Sequence, residues 1–322
     1  MAAKSIKKNY IYNLIYQVFL LIVPIIVTPY LSRILGPDGT GQYSFTYSLA
    51  NYFILFGALG FGYYAQREIA KHQDNKLIKS LIFWEILIVR LFSVGMSLAV
   101  TVILNVTGVY GSYSLLMWWW ILIIAAQAFD ITFLLQGNEE FAKIAIRNVI
   151  IKIISIVFIF LFVKKQTDVY IYVICFAGST LLGNLSLWLY LPKMLCKVKF
   201  KDLKPARHIV PTLRLFVPTV AIYVYAVLDK TLIGLLVSGT QTEIVDGVEV
   251  VTKVSDLENG YYEQAEKIVK MCMAVVTALG TVMIPRNSNE FALGNMDKVK
   301  ENVYGATNFV WFIGVPLSLG LA

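Results

Sequence analysis

The chain has 322 residues, 58% of them hydrophobic and only 15% charged, with a mean hydropathy of +0.68. Soluble domains carry about a quarter charged residues, so a water-soluble enzyme or binding module is excluded and an all-α polytopic membrane protein is expected. The net charge of +8 does not point to nucleic acid, because the basic residues lie in short intervals between apolar runs.

Lys4, Lys7 and Lys8 precede an apolar run that is too long for a signal peptide and lacks a small-residue cleavage site. It is a first span, 9–31. Further runs of about 20 apolar residues predict spans at 42–66, 80–104, 114–136, 144–163, 169–192, 212–237, 260–285 and 303–322. No polar interval is long enough to build a soluble core. The last run stops at Leu321-Ala322, and a helix ending inside hydrocarbon is expected to continue, so the chain is expected to be a piece of a longer protein.

Alternate intervals differ sharply in charge. The segments 1–8, 67–79, 137–147, 193–214 and 286–300 hold 19 Lys and Arg, against 4 in 32–41, 105–113, 164–168 and 238–258. The positive-inside rule then places the N-terminus in the cytoplasm. The 238–258 interval, with Glu243, Asp246, Glu249, Asp256 and Glu258, suits an external surface.

An internal repeat is visible. Gly41…Ala58-Leu59-Gly60…Arg67 matches Gly260…Ala278-Leu279-Gly280…Arg286, with 26 residues from first glycine to arginine in both. The preceding spans end alike, in Arg33-Ile34-Leu35-Gly36 and Lys230-Thr231-Leu232-Ile233-Gly234. Six spans separate the copies, so they share orientation, as in parallel-repeat transporters. The expected organisation is an N-terminal six-helix bundle over 1–208 and the start of a second over 209–322, incomplete in this chain, with a cleft between them. Arg33 and Lys230 would face that cleft from equivalent positions.

Ionisable residues inside a membrane are rare and mark polar interiors. Arg90, Lys152, Lys230, Lys267 and Lys270 lie within spans, and Arg33 and Arg67 at span ends. Of these, Arg33, Arg67, Arg90, Lys230, Lys267 and Lys270 suit a cavity that replaces the solvation of an anionic cargo. The opposing reading is that Glu263–Lys267 and Glu266–Lys270, both four apart, neutralise each other. Asp130 and Asp229 could carry a coupling proton or cation, or serve as structural ion pairs. The only histidines, His72 and His208, fall in basic loops apart from any cysteine or carboxylate cluster, which leaves no enzymatic constellation. Cys175, Cys196 and Cys272 have no metal-ligand spacing, and no cofactor motif is present. Gly57-x-x-Gly60-x-Gly62 reads as a close-packing face or a flexible point, and Pro24, Pro29, Pro218, Pro285 and Pro316 as kinks.

Four motifs taken together resemble bacterial oligosaccharide flippases of the O-antigen type, in the multidrug/oligosaccharidyl-lipid/polysaccharide exporter superfamily. They are Tyr30-Leu31-Ser32-Arg33-Ile34-Leu35-Gly36 with Gly39-x-Gly41-x-Tyr43; Asp130-Ile131-x-Phe133-x-x-Gln136-Gly137-x-Glu139-x-Phe141; Leu228-Asp229-Lys230-Thr231-x-Ile233-Gly234; and Gly260-Tyr261-Tyr262-x-x-Ala265-x-Lys267-Ile268. The resemblance implies translocation of undecaprenyl-diphosphate-linked oligosaccharide across the bacterial cytoplasmic membrane, for O-antigen, capsule or exopolysaccharide. It also implies two helical bundles, alternating access coupled to H⁺ or Na⁺, and polysaccharide polymerase machinery as a partner. The alternatives are a cation-coupled multidrug exporter of the same superfamily, whose cavity should be more acidic, and a membrane polysaccharide polymerase.

Overall fold

The computed structural model describes residues 6–245, 248–292 and 294–321. Its helices are α1 (Ile6–Ala58), α2 (Phe61–Lys71), α3 (Lys76–Val106), α4 (Ser114–Ala126), α5 (Thr132–Gly137), α6 (Phe141–Phe162), α7 (Val169–Leu187), α8 (Leu191–Met194), α9 (Ile209–Leu236), α10 (Val254–Ala292) and α11 (Met296–Leu321). Short 3₁₀ turns join several of them. The expected all-α polytopic fold is thus what the chain adopts.

At 1.5 Å per residue the 53 residues of α1 would run about 80 Å, far beyond a hydrocarbon layer of about 30 Å. Gly36, with φ +65° and ψ −177°, breaks it, and Pro37 opens its second half. These halves are the expected spans 9–31 and 42–66. The second ends early at Ala58, where Leu59 (φ +42°) and Gly60 (φ +70°) adopt left-handed conformations before α2 begins. Gly60 is the flexible point within the Gly57–Gly62 motif; a left-handed turn costs glycine no Cβ clash. The expected span 114–136 is likewise split into α4 and α5, with Asp130 extended at the break.

Seven helical stretches among the described residues are long and apolar enough to cross a membrane, against nine expected spans. The first of the seven, Ile22–Lys71, contains 42–66 and the last part of 9–31. The remaining expected span, 260–285, falls partly outside the residues whose side chains are described.

Two buried clusters fill the first half. One joins Val27, Leu31 and Leu35 to Trp120, Tyr172 and Val173, knitting α1, α4, α6 and α7. The other joins Phe61 and Ile69 to Phe83, Phe133 and Leu134, knitting α2, α3 and α5. Among the described residues, α9 to α11 contribute to neither cluster. They attach through close backbone approach, polar contacts and local ring packing such as Phe216 on Phe56.

That approach is reciprocal. A Cβ on Gly41 would overlap the carbonyl of Asp256, four residues before Gly260, and a Cβ on Gly260 would overlap the carbonyl of Pro37, four residues before Gly41. One turn on, Ser44 Oγ donates to Glu263 Oε2 at 2.8 Å, and these two are 219 residues apart, as are Gly41 and Gly260. Equivalent positions of the repeat therefore meet each other, as elements related by a pseudo-two-fold axis do where they cross it. Side chains of the repeat's Ala278-Leu279-Gly280 and Arg286 lie outside the described residues.

The 238–258 interval is more ordered than the loop expected from its acidity. β1 (Thr240–Val245) and β2 (Val248–Lys253) pair antiparallel, Thr240 opposite Lys253, and α10 starts at Val254. Threonine, valine and isoleucine at alternate places favour this hairpin; Asp246 lies outside the described residues.

The crossing predicts opposite effects for one kind of substitution. Gly41→Ala or Gly260→Ala should force α1 and α10 apart and cost about 1–3 kcal/mol. Gly95→Ala, whose Cβ would meet nothing within 4 Å, should stabilise by up to about 1 kcal/mol. Melting of the detergent-purified protein checks both.

Candidate functional site

The halves of the repeat are joined by charge as well as by glycine. Lys230 of α9 ion-pairs with Glu263 and, at 2.7 Å, with Glu266, both on α10. Lys267 also reaches Glu263 at 3.0 Å, and Lys270 reaches Glu266 at 2.6 Å. Since Ser44 donates to Glu263, one nearly buried carboxylate ties α1, α9 and α10 together. Thr231 Oγ1 adds contacts of 3.1 Å to Ser48 Oγ and to Tyr52 Oη. Three lysines meet two glutamates, which leaves one excess positive charge. Exposure rises along α10, from 24% for the Lys267 side chain to 60% for Lys270.

Arg90 occupies a different place. Its side chain is 4% exposed, with Nη1 donating to the Asp130 carbonyl at 2.7 Å and Nη2 to Asp130 Oδ2 at 3.1 Å. The other carboxylate oxygen accepts from Thr132 N at 2.9 Å and from Thr132 Oγ1, capping α5. The expectation of Arg90 in an open cavity is thereby corrected: its guanidinium is enclosed among α3, α4 and α5, where it fixes the break between α4 and α5. Of the two readings of Asp130, this geometry is that of the ion pair.

Arg33 and Lys230 do not share one environment. Arg33 is exposed at the end of the first half of α1, whereas Lys230 is buried. Arg67 is also exposed, 3.6 Å from Glu68 and over the Tyr64 ring. Asp229, expected to be buried, is exposed and accepts from Tyr262 Oη at 2.6 Å.

One cluster was invisible to sequence reasoning. His208 has a carboxylate partner after all: Nε2 lies 2.7 Å from Glu85 Oε2, and Nδ1 lies 2.7 Å from Tyr64 Oη. Glu85 also accepts from the Lys204 backbone N–H at 2.7 Å and from Arg207. These partners stand 119 to 144 residues apart, which no local spacing signals. Among the described residues no group of three His, Cys, Asp or Glu could hold a metal ion.

Asp38, Ser112, Tyr113, Gln166 and Asp256 gather at the end of the molecule that carries the hairpin. There a cavity of about 610 Å³ opens between Phe45, Tyr110, Tyr113, Gly234, Thr240 and Lys253. Asp256, just before the crossing, accepts from Tyr113 Oη at 2.7 Å. Burial, aided by the nearby Asp38 charge, pushes its carboxyl up to about 6 from 3.8.

A family model described as polysaccharide biosynthesis protein matches residues 6–290. The chain belongs to that family. It is also 25% identical, over 166 residues, to a protein of Escherichia coli (strain K12) named "Putative O-antigen transporter". That match covers 51% of this chain and 40% of the relative, so it takes in less than half of the relative's length. Among solved structures, a ligand complex of the MATE multidrug transporter DinF-BH is similar over 100% of this chain and 73% of its own, with TM-score 0.59 and 15% identity. A MATE in complex with Br-NRF is similar over 95% and 71%, with TM-score 0.50 and 15% identity. At such identities the likeness is one of fold. The chain is thus a multi-pass helical membrane protein of a polysaccharide-biosynthesis family.

Two predictions test the charges. Arg90→Leu removes the buried cation paired with the Asp130 carboxylate, which Thr132 still holds, and should cost about 1–3 kcal/mol. Adding Asp130→Asn should recover part of it, and equal melting of the single and double variants would deny the coupling. For Asp256 the folded state holds a proton more tightly than the unfolded chain. Its contribution to stability is therefore full below about pH 4 and lost as pH rises through about 6. Asp256→Asn should flatten that slope of melting temperature against pH.

Proposed function

We propose that the protein moves an undecaprenyl-diphosphate-linked oligosaccharide from the inner to the outer leaflet of the bacterial cytoplasmic membrane, for surface polysaccharide. The observation that carries this reading is the family match over 6–290 combined with a repeat whose halves meet reciprocally at Gly41 and Gly260. The name of the Escherichia coli relative supports the cargo class. In this reading the segments rich in Lys and Arg face the cytoplasm, and the hairpin end faces outward.

The chemistry follows from what a diphosphate needs. Its oxygens must leave water, and Arg or Lys can replace that solvation. Arg67, exposed at the basic end, receives the head group from the cytoplasmic side. Lys270 lies ten residues beyond the Gly260 crossing, about 15 Å along the helix, and offers a half-solvated cation midway, with Lys267 and Lys230 behind it. Arg33 stands at the outer end. Arg90 contributes by holding the α4–α5 break rather than by touching cargo. The lipid tail stays in the bilayer while the bundles rock about the crossing. The expected two-bundle division at 208/209 belongs to this reading, with the linker before α9 as the hinge. We assign the coupling ion, H⁺ or Na⁺, to Asp229, which stands beside Lys230; Asp130 keeps a structural place.

The test uses the full-length gene in a capsule-forming bacterium deleted for its own flippase, following lipid-linked repeat units and surface polymer. Restored polymer with relief of the inner-leaflet build-up is expected. Lys270→Gln and Arg67→Gln should each lower polymer at least several-fold with the protein still in the membrane. Absence of rescue with a matched repeat unit would overturn the cargo and turn the assays to drug efflux.

A further inference from the structure

We infer that Tyr64, His208 and Glu85 form a proton-binding site that controls whether the linker before α9 is docked on the first bundle. This goes beyond cargo and rests on the geometry of the buried cluster alone. The Glu85 side chain is 1% exposed and that of His208 4%, yet both lie where two parts of the fold meet. Glu85 projects from α3, Tyr64 from α2, and His208 closes the linker at the first turn of α9.

Every lone pair and proton here has a partner in one protonation state. With Glu85 ionised and His208 neutral, the imidazole donates from Nε2–H to the carboxylate. Its bare Nδ1 then accepts from the Tyr64 hydroxyl. The carboxylate accepts from the Lys204 backbone N–H and from Arg207 as well, so the Glu85 and Arg207 charges cancel. The other charged groups nearby are Glu68 and Arg67 on α2; Glu68 pairs with both Arg67 and Lys71.

Taking up one proton at Nδ1 changes two things at once. Tyr64 can no longer donate to that nitrogen and must turn to accept from it, which leaves its own proton without this partner. A second positive charge also appears beside Arg207 in a site with one carboxylate, where the low dielectric magnifies repulsion. The Arg207 side chain is half exposed, so solvent reaches one edge of the cluster and can deliver the proton. Protonation therefore loosens the linker, and loss of the proton docks it.

The consequence travels along α9. This helix buries residues only near its two ends: Thr212 and Phe216 at one, Lys230 and Thr231 at the other. Phe216 packs on Gly60, the left-handed break between α1 and α2. A loosened linker frees the Phe216 end while Lys230 keeps the other end pinned to α10, and α9 becomes a lever.

The experiment is hydrogen–deuterium exchange of residues 204–216 in the full-length protein in nanodiscs. Between about pH 8 and about pH 5.5, the wild type should lose about ten-fold in protection after correction for intrinsic exchange. His208→Gln, which keeps a donor toward Glu85, should remove that dependence. Tyr64→Phe, which removes the partner of Nδ1 in both states, unequally because the bond in the charged state is charge-assisted, should shift the midpoint. A wild-type protection that does not change with pH overturns the site, as does an unaltered dependence in His208→Gln. If His208→Gln is undocked at every pH, Tyr64→Phe decides: a shifted midpoint upholds the site and an unmoved one overturns it.

Discussion

The rest of the structure depends on the place where α1 and α10 touch backbone to backbone. Two helices that approach so closely tolerate only glycine at the contact, because any Cβ would enter the opposite helix's carbonyl. The contact is reciprocal, each glycine facing the carbonyl four residues ahead of the other. It therefore fixes not only a distance but the relation between the two copies of the repeat. Contact between two backbones leaves no room there for side-chain interdigitation.

Around that pivot the two halves are held very differently from the interior of the first. Inside the first half, apolar clusters such as Phe83 with Phe133, and Trp120 with Tyr43 and Tyr172, are non-directional and bury large areas. Between the halves the contacts are directional: Ser44 to Glu263, Ser48 to Thr231, Tyr113 to Asp256, and the lysines around Glu263 and Glu266. Among them the half-exposed Lys270–Glu266 pair contributes little net, whereas the buried Lys230–Glu263 pair is costly to break.

Much of this was legible in the sequence because it follows from local pattern. Apolar runs of helical length mark the spans, and the paired glycines Gly41 and Gly260 are the two that meet at the crossing. The pairs Glu263–Lys267 and Glu266–Lys270 are readable because four residues is one helical turn. What escaped was non-local or against local propensity. Arg90 finds Asp130 across 40 positions and Glu85 finds His208 across 123, so spacing along the chain carries no trace of either. Breaks at Leu59 and Asp130 fall inside apolar runs, where hydropathy sees a continuous span and only backbone geometry records the turn. The acidic hairpin reads as a loop because its charges are more conspicuous than its alternating β-branched residues.

The ion network carries a mechanical consequence for any anionic cargo. Lys267 and Lys270 are not free cations; each is already paired with a glutamate that Lys230 also holds. In the proposed reading, a diphosphate that recruits the exposed Lys270 takes it from Glu266, which then leans more heavily on Lys230. Recruiting Lys267 does the same at Glu263, the residue that Ser44 of α1 also touches. Cargo binding and the contact between halves thus compete for the same charges. Because such coupling is reciprocal, a joint that opens and weakens the hold on Lys230 also returns Glu263 and Glu266 to Lys267 and Lys270. That return displaces the cargo on the side to which the joint has opened.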